Sequence, residues 1–116
     1  MDNKTDAWQK RFELTTCPAG EIDPAIPPAA LGVAVIYEQT TAGETIFLVL
    51  ESRAGSLRDL CAKRMQTAKI PPATPLTVSF KSEILPDASP EAVHAACRRQ
   101  VILAEQLRRE LRPAMR

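Results

Sequence analysis

A chain of 116 residues with 45% hydrophobic content can bury one core without disulfide or metal staples, and is too apolar to be a disordered segment. Fifteen basic residues against fourteen acidic ones leave a formal net charge of +1, which by itself indicates no polyanionic partner. Aromatic residues make up only 4%, so the core must be built from Leu, Ile, Val and Ala.

Three cysteines, Cys17, Cys61 and Cys97, stand far apart with no CxxC, which reads as free thiols in a reducing compartment. With a single histidine, no zinc ligand set forms at local spacing. The opening MDNKTDAWQKRF is too polar for a signal peptide, and no apolar run approaches spanning length. A cytoplasmic protein with no membrane partner is expected.

Residues 1–30 read as an N-terminal arm and proline-rich linker, and 31–116 as a single domain. Asp6 followed by Gln9 predicts a capped short helix, AWQKRFEL, carrying Trp8, Phe12 and Leu14 near one face. TTCPAGEIDPAIPPAA holds four prolines, which predicts an extended, irregular strap or a mobile tail. Its apolar neighbour, the arm, is a candidate docking element for a protein partner.

LGVAVIYE and TIFLVLE are β-branched and nearly continuous in apolar character, predicting two strands at least partly covered on both faces. The connection EQTTAGET contains Gly43 and suits a longer hairpin loop. SLRDLCAKRMQTAK follows as a helix capped by Ser56, with Leu57, Leu60, Cys61, Ala62 and Met65 on its apolar stripe. IPPATP ends it. LTVSFKSEIL then alternates Leu76, Val78 and Phe80 against Thr77, Ser79 and Lys81, a strand with one wet face.

The last helix has the clearest signals: Ser89 as N-cap, Pro90 at the first position, Glu91 against the dipole, and Pro113 beyond the end. Val93, Cys97, Val101, Ala104, Leu107 and Leu111 form its predicted buried stripe, widened by Ile102 and Leu103. The expected fold is α+β, a small three-stranded antiparallel sheet in the order β-hairpin, helix, strand, long helix, with the helices packed on it.

Local wording adds a family resemblance over 30–116. Gly32-Val33-Ala34 stands where GIY-YIG nucleases open their first strand with Gly-Ile-Tyr or Gly-Val-Tyr. Leu50-Glu51-Ser52-Arg53-Ala54 and Ser56-Leu57-Arg58 stand where that family has Tyr-Val-Gly-Lys-Ala and then Asn-Leu-Arg. Glu110-Leu111-Arg112-Pro113 resembles the Glu-Leu-Lys-Pro that closes the family's last helix. The chain resembles the GIY-YIG nuclease fold, with the incision domain of bacterial nucleotide-excision-repair nucleases as the best match.

The departures fall where the family does its chemistry. The resemblance puts Ala34 and Leu50 at the two tyrosines, Leu60 at the helix arginine and Ala104 at the metal-binding glutamate. Phosphodiester hydrolysis of this kind needs a carboxylate for Mg²⁺, an activated water and a cation for the developing charge. Hydrocarbon at these positions implies a pseudo-nuclease. Glu105 is next to Ala104 but turned about 100° around the helix, and Tyr37 falls on the opposite strand face from Ala34. No cofactor is expected; Mg²⁺ enters only if a divergent endonuclease uses Arg53, Arg58 and Glu105.

The binding classes that remain are nucleic acid and protein. Arg53 before the first basic helix, Arg58, Lys63 and Arg64 on it, and Arg98, Arg99 and Arg109 on the last helix are the candidate phosphate contacts; these helices are equally readable as solvated faces. No interleaved aromatics offer stacking platforms for single strands. His94 reads as structural, and Cys61 and Cys97 as small core residues. The expected function is a catalytically inactive module for nucleic-acid binding or complex assembly. The alternatives are a divergent metal-dependent endonuclease and an unrelated small α+β interaction domain.

Overall fold

The computed structural model describes residues 7–52, 56–71, 73–86 and 89–114. Its centre is the hairpin of β2 (Leu31–Thr40) and β3 (Gly43–Glu51). The turn is tighter than its eight polar residues suggest, because Thr40 pairs directly with Gly43. Thr40 Oγ1 donates to the Gly43 carbonyl (3.1 Å) and accepts from the Ala42 N–H (3.2 Å), closing a two-residue turn. Gly43 meets the geometry with φ of 134°, a conformation that side chains oppose.

The helix α3 (Leu57–Thr67) follows, then β4 (Thr77–Glu83) and the 22-residue α4 (Pro90–Leu111). Both expected caps are formed: Ser56 Oγ accepts from Asp59 N–H and Ser89 Oγ from Ala92 N–H. Pro90 opens α4, and Arg112 ends it in the left-handed region at φ 51°.

The sheet has four strands, not three. The fourth, β1 (Thr15–Pro18), comes from the proline-rich segment read as irregular, and pairs antiparallel with β4 from Thr15↔Phe80 to Pro18↔Thr77. A proline is admissible there because β1 is an edge strand and Pro18 is its last residue. The order is β1-β4-β2-β3, antiparallel throughout. The helix expected over 7–14 is reduced to α1 (Trp8–Arg11), and a 3₁₀ turn (Ala19–Glu21) and α2 (Ile22–Ala25) follow β1. The cap assigned to Asp6 lies outside the described residues; Ala7 is the N-cap of α1.

Alternation along the strands divides the core between two sheet faces. Ala34, Ile36, Leu48, Leu50, Val78 and Phe80 face α2 and α3, whose Ile22, Leu57 and Cys61 close that side. Val33, Val35, Tyr37 and Val49 face α1 and α4, meeting Trp8, Ala104 and Leu107. The hairpin register slips between Ile36 and Tyr37, so that Phe47 is an extra residue turned into the α3 side.

Two helix stripes differ from expectation. On α3, Ala62 is exposed. On α4 the buried residues are Ala96, Gln100, Ala104 and Leu107; Val93, Cys97, Val101 and Leu111 are half-buried, and Ile102 is 55% exposed. The helix is rotated to bury Gln100, whose amide has a partner: Nε2 donates to Glu83 Oε1 on β4 (2.5 Å). Ser79 also departs from its expected wet face, being completely buried.

Gly32 has a packing reason. A β-carbon there would lie 2.1 Å from the Lys81 carbonyl oxygen, so only glycine lets β4 run this close.

Candidate functional site

The positions singled out in the sequence are Ala34, Leu50, Leu60 and Ala104. Ala34 pairs with Leu50 on one side and Phe80 on the other, and all three are at most 6% exposed. Leu60, from α3, packs against the same cluster. Ala34, Leu50 and Leu60 therefore belong to one apolar cluster. Ala104 does not join them. It packs against Val33, Val35 and Val49 on the far face of the sheet.

The substitutes for a rearranged site are also kept apart. Arg58 Nε donates to the Ile26 carbonyl (2.9 Å) and its guanidinium to the Asp23 carbonyl, with the Asp23 carboxylate 3.9 Å away. This arginine fastens α3 to α2. Glu105 is exposed on α4, across the sheet. Arg53 lies outside the described residues. Among the described residues, no group of three or more His, Cys, Asp or Glu side chains is placed to hold a metal ion.

The candidate phosphate contacts fall into two groups with the sheet between them. Arg58, Lys63 and Arg64 belong to α3, and Arg98, Arg99 and Arg109 to α4. Arg99 makes a two-pronged bridge to Glu83, with Nε to Oε1 at 3.3 Å and Nη2 to Oε2 at 2.9 Å. Arg64 is half-buried, whereas Lys63, Arg98 and Arg109 are exposed. His94, read as structural, is exposed on α4 as well.

Three polar arrangements escaped the sequence reading. Tyr37 OH lies 2.9 Å from Ser79 Oγ, which lies 2.8 Å from Thr16 Oγ1, a chain of hydroxyls across β2, β4 and β1. Gln9 Nε2 donates to the same Tyr37 oxygen (3.1 Å) and to Glu44 (2.9 Å), and Trp8 Nε1 donates to Glu44 (2.6 Å). Trp8 meets the Tyr37 ring edge-on at 5.1 Å. Together these hold α1 on the sheet.

The second is Glu83 between Arg99 and Gln100. It sits at one wall of an open groove of about 420 Å³ between β4 and α4, with Lys81, Ile102 and Leu103 on the other walls. The third guards the hairpin edge. Arg108 donates to Glu51 Oε1 (2.7 Å) and to the Val49 carbonyl (2.8 Å), and Ala114 N–H donates to the Ile46 carbonyl (3.0 Å). These bonds occupy carbonyls that an outer strand would otherwise leave open to pairing.

The buried thiols are not poised as nucleophiles. Burial, aided by charge on Cys17, pushes the Cys61 thiol up to about 12, and burial, then Glu21, raises that of Cys17.

The fold is thus α+β with a four-stranded antiparallel sheet between two helical layers. No helix among the described residues is long and apolar enough to cross a membrane. Comparison with protein-family models, curated proteins and solved structures gives no match.

Proposed function

We propose that the chain is a non-catalytic module, of GIY-YIG-like build without the chemistry, that binds a protein within a larger complex. The observation that carries this is the packing of Ala34, Leu50 and Leu60 into one apolar cluster. A nuclease needs polar groups and an opening for phosphate there; close-packed hydrocarbon provides neither. The succession of hairpin, helix, strand and long helix supports the family build.

Nucleic-acid binding is the second class, and the exposed Lys63, Arg98 and Arg109 favour it, since phosphate contacts require only charge and reach. Those cations stand on opposite sides of the sheet, however; Arg58 is held by the Ile26 carbonyl, and the exposed Arg99 is paired with Glu83. The split of the cations between two faces offers no single continuous basic surface, which favours protein.

Gel shifts of the pure protein with duplex and branched DNA, titrated with salt, test the choice. The expected result is no shift at physiological ionic strength. Complexes that weaken steeply from low to moderate salt would move the function to phosphate binding.

A further inference from the structure

The outward face of α4 carries a line of exposed residues: Glu91, Ala95, Arg98, Ile102, Glu105 and Arg109. Their alternating four- and three-residue spacing keeps them in one stripe, on the side away from Ala96, Gln100, Ala104 and Leu107. A single exposed isoleucine is ordinary. The arrangement of charge around it is what identifies an occupant.

We infer that α4 docks antiparallel on the α4 of a second copy of this chain. Turning the helix end for end about residue 100 sets Glu91 of each copy against Arg109 of the other. These pairs close both ends of a contact about 27 Å long. The same rotation brings Arg98 within one turn of the other copy's Glu105, and lays Ile102 over Ala95 and Arg98. At that place the surface has a depression of about 440 Å³ bounded by Glu91, His94, Ala95, Arg98 and Ile102. The small Ala95 side chain leaves the room an incoming isoleucine needs.

A parallel pairing would stack Glu91 on Glu91 and Arg109 on Arg109, and would align the two helix dipoles unfavourably. Charge therefore selects the antiparallel arrangement. It is isologous, so it closes as a dimer rather than growing. The groove between β4 and α4 flanks the same stripe and stays open to a further partner. This dimer deepens the assembly reading and rests on it for its use.

Sedimentation equilibrium of the full chain, from micromolar to near-millimolar concentration, tests the surface. The wild type is expected to dimerise reversibly. Glu91→Lys and Arg109→Glu are each expected to remain monomeric with unchanged helical circular dichroism. An equimolar mixture of the two is expected to regain the dimer, because each supplies the charge the other lacks. Ile102→Glu is expected to be monomeric alone and in mixtures. A wild type that stays monomeric, a mixture that does not associate, or a dimer indifferent to Ile102→Glu would each overturn the inference. A monomeric wild type that also fails to shift DNA would remove this surface while leaving the assembly reading in place.

Discussion

Ala34 stands directly opposite Leu50 across the hairpin, both buried, with Phe80 on the other flank of Ala34. Leu50→Ala is expected to destabilise the protein by about 2–5 kcal/mol through lost burial and a residual cavity. Ala34→Tyr is expected to cost about 1–3 kcal/mol by overpacking. Urea unfolding checks both, as a lower midpoint at unchanged slope. An Ala34→Tyr variant as stable as wild type would mean that there is open space where none is described.

Neighbouring arginines on α4 have opposite duties. Arg108 holds Glu51, whose side chain is 8% exposed, and the Val49 carbonyl at the hairpin edge. Its own side chain is 40% exposed, so solvent screens part of the pairing energy. Arg108→Ala is expected to cost about 2 kcal/mol by weakening charge-assisted bonds to a buried carboxylate. Arg109→Ala is expected to stay within about 0.5 kcal/mol of wild type. Thermal unfolding at low protein concentration separates them, and equal losses would contradict the assignment.

Removing one oxygen should loosen the N-terminal arm. Tyr37→Phe deletes the hydroxyl that Ser79 and Gln9 share, leaving buried Ser79 with one partner fewer. A loss of about 1–2 kcal/mol is expected. Amide exchange should rise most over 8–18, where α1 and β1 are tied to that network. Uniform exchange across the chain would show that the hydroxyl matters to the core alone.

The thiols give a pH signature with a definite sign. Folded Cys61 keeps its proton up to about 12, against an ordinary thiol value of 9.0. The unfolded chain releases that proton first, so stability from the neutral thiol is complete below about pH 9 and declines as pH rises toward about 12. Urea midpoints should therefore fall between about pH 9 and about pH 11, and Cys61→Ala should flatten that fall. An equally steep decline in the variant would assign the effect to other groups.

Much of the fold was legible because local signals and burial agree. Ser56 and Ser89 cap the helices they were expected to cap, and the β-branched runs around Val33 and Val49 form the central hairpin. The fourth strand was hidden because TTCP carries no apolar alternation; its pairing comes from β4, not from its own composition. The rotation of α4 was hidden for a related reason. Gln100 reads as a solvent residue until Glu83 is brought beside it by the fold. Ser79 reads as wet until Tyr37 and Thr16 cover it.

The site divides along the same line. That Ala34 and Leu50 lack hydroxyls is evident from their identities, and their cross-strand pairing follows from the hairpin register. The place of Ala104 on the other face of the sheet is a long-range property, as is the commitment of Arg58 to α2. A list of basic residues cannot reveal which cations the fold has already used.

A cleavage assay tests whether the packed cluster of Ala34, Leu50 and Leu60 leaves the protein without nuclease chemistry. Purified protein is incubated with supercoiled plasmid and branched DNA in Mg²⁺ or Mn²⁺, beside a Glu105→Ala control. Intact DNA is expected with either metal. Metal-dependent cleavage by the wild type that Glu105→Ala abolishes would overturn the non-catalytic reading.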